Sequence, residues 1–154
     1  MIHGIDTSFL VAVELIEHPE HANTSAALQR FVAAGDHFAL TPQVLDEFIH
    51  VVTDGKRLAQ PFEMVTARQT AERWWLASDV NRVFPNEAAV DQFFSWVAQF
   101  KLGRKRLLDT MLAATYFHNG VTSILSINPS DFTVLGVIDC PNLSPPVQPQ
   151  GPST

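Results

Sequence analysis

Short strand-like runs alternate with longer helical stretches along this chain, and that alternation limits the fold more than any other feature. Residues 2–6 (IHGID) read as a strand running directly into a helix over 7–17, which Pro19 ends. A second helix covers 23–34, with Gly35 as its stop. Residues 37–41 (HFALT) read as a second strand, and Pro42 then sits where the first turn of a helix tolerates proline. That helix is QVLDEFIHVV. Pro61 opens another, through Trp74 and Trp75, followed by a short strand over 78–84 and a helix over 86–100. After the basic connection KLGRKR come the helix LLDTMLAATYFHNG, a buried strand over 121–127 (VTSILSI), a turn at NPSD and a last strand over 134–138. Alternation of this kind predicts an α/β fold: a three-layer α/β/α sandwich around a mostly parallel sheet. Ligands of such sheets collect beyond the carboxyl ends of the strands.

The 154 residues suit one compact domain, and the apolar share of 46%, with eleven Phe and three Trp, is enough for a real core. The domain is expected over 1–140. Residues 141–154 hold five of the ten prolines and read as a flexible tail. The single cysteine, Cys140, allows no internal disulfide, which suits a reducing, cytoplasmic compartment. It reads as a small residue near a strand end. The start MIHGID lacks the features of a signal peptide, and the apolar run 9–13 stops at Glu14, so no membrane partner is expected.

Four acidic residues stand out against this frame. Asp6 ends a strand and precedes a helix, so its carboxylate faces the crevice at the top of the sheet. Asp6-Thr7-Ser8 also offers three favoured capping residues, and capping and function both fit. Glu47 lies at the edge of the apolar arc formed by Val44, Leu45, Phe48, Ile49, Val51 and Val52. It either reaches over the end of the sheet or is a solvated rim residue. Asp109 is the only charge in the eleven residues LLDTMLAATYF. A carboxylate on so apolar a helix is costly unless it is paired, hydrogen-bonded or metal-bound, although it would also cap a helix starting at Thr110. Asp131 follows the strand VTSILSI in a turn where Asn128 supplies a further oxygen, and ordinary turn chemistry accounts for both.

Gathered carboxylates repel, and they stay ionised together only around a cation. Ligation by oxygen alone suits a hard ion, Mg²⁺ or Mn²⁺. No Cys/His spacing fits zinc, and the six histidines are scattered. The net charge of −6 speaks against a nucleic-acid partner. Against that, Lys101, Arg104, Lys105 and Arg106 cluster just before Asp109. They are either a solvated loop or a grip on an RNA backbone.

The segments GIDTSFLVA, TPQVLDEFIHVVT, LLDTMLAAT and ILSINPSDF, in this order and spacing, resemble the PIN-domain ribonucleases, above all the VapC-type toxins of VapBC toxin–antitoxin pairs. The resemblance spans about residues 2–138. It implies a PIN-like fold, a divalent-metal site and metal-assisted hydrolysis of RNA. Asp6, Glu47, Asp109 and Asp131 match the family's catalytic acids, with Asp6 and Asp109 as direct metal ligands. Thr7, Ser8 and Asn128 stand around them, and Arg104, Lys105 and Arg106 would bind substrate. Where relatives often carry a second acid in the last turn, this chain has Asn128. The resemblance also implies a cognate antitoxin and a homodimer, to which part of FFSWVAQF (93–100) would contribute. The alternatives are a PIN nuclease of RNA processing and a PIN-like binding protein with weak catalysis. A phosphate-accepting receiver domain also gathers acids over a parallel sheet, but it needs a Lys after its last strand, where this chain has Asp139-Cys140-Pro141.

Overall fold

The computed structural model describes residues 1–146. Four strands form one sheet: β1 (Ile2–Ile5), β2 (His37–Leu40), β3 (Val80–Arg82) and β4 (Ile124–Leu125). Their order is β3-β2-β1-β4, and every pairing is parallel. Crossovers between parallel strands need helices, and these flank the sheet: α1 (Thr7–Glu14), α2 (His21–Ala33), α3 (Pro42–Val52), α4 (Met64–Leu76), α5 (Glu87–Gln99) and α6 (Leu107–Phe117). A short 3₁₀ turn (Arg104–Arg106) leads into α6, and a one-turn helix α7 (Ser130–Thr133) follows β4. The α/β sandwich expected from the alternation is therefore the observed fold.

Local chemistry sets the helix starts that matter. Thr41 caps α3, its hydroxyl accepting from the Gln43 N–H at 3.1 Å, with Pro42 at the first helical position. Asn86 caps α5 by accepting from the Ala89 N–H at 2.8 Å. The core takes Ile5, Phe9 and Leu10 from the β1–α1 unit, Phe38 and Leu40 from β2, and Val44, Phe48 and Val52 from α3. Leu112 and Tyr116 of α6, Ile124 and Leu125 of β4 and Phe132 of α7 complete it. Gly4 is required where it stands, because a Cβ there would lie 2.6 Å from Cδ2 of Tyr116.

Several elements are shorter than the sequence predicts, each for a visible reason. Helix α1 stops at Glu14 because Leu15 turns extended and buries its side chain in the core. Helix α4 begins at Met64, not Pro61, because the Glu63 backbone is extended, with ψ 147°. Strand β3 covers only Val80–Arg82 of the expected 78–84. Strand β4 keeps two residues of the expected seven: the Val121 N–H bonds back to the Tyr116 carbonyl, and Ser126 turns its hydroxyl onto Asp6. The expected NPSD turn continues into α7, which places Asp131 on a helix. The expected last strand over 134–138 is absent. Gly136 adopts φ 74°, a left-handed conformation incompatible with a strand, and only Asp139 pairs, as an isolated parallel bridge with Ser123.

Residues 141–146 form no helix or strand, and Arg30 donates to the carbonyls of Leu143 at 3.3 Å and Ser144 at 3.4 Å. The rest of the proline-rich segment, read as a flexible tail, lies outside the described residues. The aromatic segment of α5 divides between roles: Trp96 is buried, whereas Phe94 is 65% exposed. No helix among the described residues is long and apolar enough to cross a membrane.

Candidate active site

The site is built on the carboxyl end of β1. The Asp6 N–H still bonds to the Leu125 carbonyl of β4 at 3.1 Å, while its own carbonyl accepts the first turn of α1 from Leu10. The Asp6 side chain is buried and makes no capping hydrogen bond, so its carboxylate is not spent on the helix. Two hydroxyls donate to one of its oxygens, Oδ2: Ser8 at 2.5 Å and Ser126 at 2.7 Å. Among the described residues, no side chain donates to Oδ1. Burial pushes the Asp6 pKa above its usual value. The Ser8, Ser126 and Thr7 hydrogen bonds pull it back, and the charge of Glu47 adds to the rise.

Glu47 arrives from the middle of α3, half-buried, with both oxygens engaged. The Thr7 hydroxyl donates to Oε2 at 3.0 Å, and the Gln43 amide donates to Oε1 at 3.1 Å. Gln43 and Glu47 are one helical turn apart, the spacing at which side chains on a helix meet. The same Gln43 amide also donates to the Leu108 carbonyl at 3.0 Å, which ties α3 to the first turn of α6.

Asp109 stands in that first turn. It shares a face with Leu112, Ala113 and Tyr116, all buried, because positions three, four and seven apart line one side of a helix. Helix α6 starts at Leu107, so Asp109 is not its cap. The helix is also less enclosed at this end than its composition implies: Leu108 is 61% exposed and Asp109 only half-buried. The Asp109 pKa rises to about 6, first from burial and then from the charges of Asp6 and Glu47, with Arg106 opposing. Three of the four predicted acids thus lie close together, near enough for the charges of Asp6 and Glu47 to be felt at Asp109.

Asp131 is placed differently. Its carboxylate pairs with Arg106, and no hydrogen bond links it to Asp6, Glu47 or Asp109. Asn128 is exposed. Its backbone N–H bonds to the Ser126 hydroxyl at 3.0 Å, so it contributes through the main chain. Arg104 and Lys105 are exposed, in the 3₁₀ turn that leads into α6. The Cys140 thiol is pushed up to about 11 by burial and the neighbouring charges of Asp139 and Asp6, which keeps it protonated and unreactive.

Three polar residues at the site escaped the sequence reading. Gln43 was detectable in principle, since it lies four residues before Glu47 on a predicted helix. Ser126 was hidden by its place inside an apparent strand. Tyr116 looked like simple core, but its hydroxyl lies 2.6 Å from the Ile5 carbonyl and 3.1 Å from that of Ala39. It thereby fixes the ends of β1 and β2 beneath Asp6.

The donor set is oxygen only, and burial and neighbouring carboxylate charge raise the pKa of Asp6 and Asp109, which fits a hard divalent ion. Among the described residues, no three His, Cys, Asp or Glu side chains converge enough to enclose an ion by themselves. Mg²⁺ commonly keeps several waters in its shell and is held by one or two carboxylates, so the set needs no closer convergence.

No family model matches the chain. It is 26% identical over 139 residues to ribonuclease VapC24 of Mycobacterium tuberculosis, an alignment covering 86% of this chain and 90% of VapC24. Its fold matches the crystal structure of VapC20 of M. tuberculosis, a toxin that cleaves the sarcin-ricin loop. The TM-score is 0.67 at 18% identity, over 90% of this chain and 98% of that one. It also matches VapBC-1 of nontypeable Haemophilus influenzae with TM-score 0.66 and 15% identity, over 93% and 98% of the two chains. With a parallel sheet that carries Asp6, Glu47 and Asp109 to one end, the chain is similar in sequence to a VapC ribonuclease and shares the fold of VapC-type PIN-domain proteins.

Proposed function

We propose that this chain is a divalent-metal-dependent endoribonuclease and the toxin of a type II toxin–antitoxin pair. The observation that carries this reading is the gathering of Asp6, Glu47 and Asp109 at the carboxyl end of β1, where burial first and then the charges of Asp6 and Glu47 lift Asp109 to about 6. Three carboxylates held this way are costly unless a cation joins them, and binding sites accept such costs for function. Asp6 and Asp109 would hold Mg²⁺ or Mn²⁺ directly, with Glu47 beside them. When bound, the ion would supply an activated water and stabilise charge on the phosphate.

The chain's own residues prepare that site. Ser8 and Ser126 both load Oδ2 of Asp6, which fixes the carboxylate and leaves Oδ1 without a side-chain donor among the described residues. Thr7 and Gln43 lock Glu47 in one orientation. Such preorganisation spares the site reorganisation when substrate arrives. Arg104 and Lys105, exposed in the turn that leads into α6, offset the overall negative charge for an RNA backbone.

The toxin assignment rests on the kinship to VapC24 and on fold neighbours such as VapBC-1. A cognate antitoxin and a second copy of the chain are the expected partners. The exposed Phe94, Val90 and Leu108 provide apolar surface for such contacts. In this reading residues 1–140 are the nuclease domain and the proline-rich remainder is accessory. The test pairs two measurements. Purified protein is incubated with mixed RNAs with Mg²⁺, with Mn²⁺ and with chelator, and the chain is induced in cells with and without any small open reading frame found next to its gene. Ion-dependent cleavage with growth arrest relieved by the neighbour is expected. Cleavage without arrest would favour an RNA-processing nuclease, and no cleavage would favour a PIN-like binding protein.

A further inference from the structure

Arg106 and Asp131 form an ion pair at the lip of the carboxylate cleft, and neither residue is free to drift. The Arg106 backbone is fixed by its N–H on the Gly103 carbonyl at 2.9 Å and by its own carbonyl, which accepts from the Thr110 hydroxyl at 2.6 Å. Asp131 sits next to the fully buried Phe132, and its N–H bonds to the Asn128 carbonyl at 3.1 Å. The two side chains are 40% and 24% exposed, and an ion pair that open to solvent contributes little to stability. The pair therefore needs another explanation.

The contact to Asp131 runs through Nη1 of Arg106, and no other side chain among the described residues is hydrogen-bonded to the guanidinium. A guanidinium with one edge anchored and another open is suited to a phosphate, which it meets with two parallel hydrogen bonds. Arg106 caps α6 three residues before Asp109, the spacing at which side chains on one helical turn are neighbours, so its guanidinium stands beside the carboxylates. Asp131 is committed to Arg106, and no hydrogen bond joins it to Asp6, Glu47 or Asp109.

We infer that Asp131 is a positioning residue for Arg106, holding its guanidinium at the lip of the cleft to bind an RNA phosphate, and is not a ligand of the metal. This rests on the ribonuclease reading above and refines it. The acid in the last turn serves substrate binding through an arginine, while the ion is left to Asp6, Asp109 and Glu47.

The test separates metal from RNA. Mn²⁺ binding is titrated calorimetrically for the parent, Asp131→Asn and Asp109→Asn. Binding of a fluorescein-labelled polyuridine oligonucleotide is followed against salt in an Asp6→Asn background, which blocks cleavage, with Asp131→Asn, Arg106→Gln or both added. Thermal unfolding checks that each variant folds. Asp131→Asn should leave the Mn²⁺ isotherm on that of the parent, whereas Asp109→Asn weakens it. Arg106→Gln should lower the salt slope by about 0.7, the value of one phosphate contact on a single strand. Asp131→Asn should lower it similarly, and the double variant no further. Loss of Mn²⁺ affinity in Asp131→Asn as large as in Asp109→Asn would overturn the inference and leave the nuclease reading intact. An unchanged slope in Asp131→Asn or Arg106→Gln would also overturn it. Failure of the parent background to bind RNA at all would remove both.

Discussion

The Thr7 hydroxyl donates to Oε2 of Glu47 at 3.0 Å, joining the first turn of α1 to the middle of α3 across forty residues of sequence. Thr7 immediately follows Asp6, so one turn of backbone sets two of the site's carboxylates at once.

Replacing Thr7 by valine keeps the shape of this buried side chain and removes the bond. The cleavage rate should fall by about tenfold, the usual cost of losing a group that orients a metal-site carboxylate. The midpoint of thermal unfolding should move only slightly. A cleavage rate equal to that of the parent would show that Glu47 does not depend on Thr7.

Gln43 makes the complementary contact and also binds the Leu108 carbonyl, so it sets the distance between α3 and α6. Gln43→Leu should lower kcat by about tenfold with little change in KM, because the residue orients Glu47 without reaching the substrate. A rise in KM at constant kcat would place Gln43 in substrate binding instead.

The elevated Asp109 pKa predicts how stability varies with pH. The folded carboxyl holds its proton up to about 6, whereas in the unfolded chain it loses it near 3.8. Between these values the folded state binds the extra proton, so this contribution stabilises below 3.8 and is lost as pH rises through about 6. In chelator, the parent should lose stability relative to Asp109→Asn over that interval, as read by urea unfolding at a series of pH values. Added Mn²⁺ should reverse the trend in the parent only, since it binds the ionised form. A pH-independent difference between the two proteins would contradict the elevated Asp109 pKa.

Beneath the site, the Tyr116 hydroxyl serves the Ile5 and Ala39 carbonyls, and the ring lies against Gly4. Tyr116→Phe should cost about 1–3 kcal/mol by leaving buried carbonyls unsatisfied. Gly4→Ala should cost at least as much, because the new methyl meets an aromatic ring held in the core. Denaturant unfolding measures both. A neutral Gly4→Ala would mean that the ring can move aside.

The sequence made the outline of this molecule readable because the controlling signals are local. The Thr41-Pro42 cap, the apolar arc of α3 and the lone charge of α6 each speak for their own element. What it concealed is long-range. The last strand over 134–138 had the right residue types, but Gly136 bends that backbone away and Asp139 alone pairs with Ser123. Strand β4 looked long because Ser126 and Ile127 continue the pattern. Ser126 is instead committed to Asp6, 120 residues away. At the site, Asp109 was recognisable as a lone charge on an apolar helix and Asp6 by its place between strand and helix, while Glu47 leaned on the family resemblance. The Arg106–Asp131 pair was not, because both residues lie in segments that read equally well as solvated loops.

The central claim is that Asp6 and Asp109 hold the ion that hydrolyses RNA. Its most direct test is the cleavage rate of one defined RNA by the parent, Asp6→Asn and Asp109→Asn, each in Mg²⁺, Mn²⁺ and chelator. The parent should cleave only with an ion present. Each variant should be slower by roughly a thousandfold, corresponding to the several kcal/mol that a metal's charge supplies in the transition state. Equal rates in all three proteins, or cleavage that persists in chelator, would contradict it.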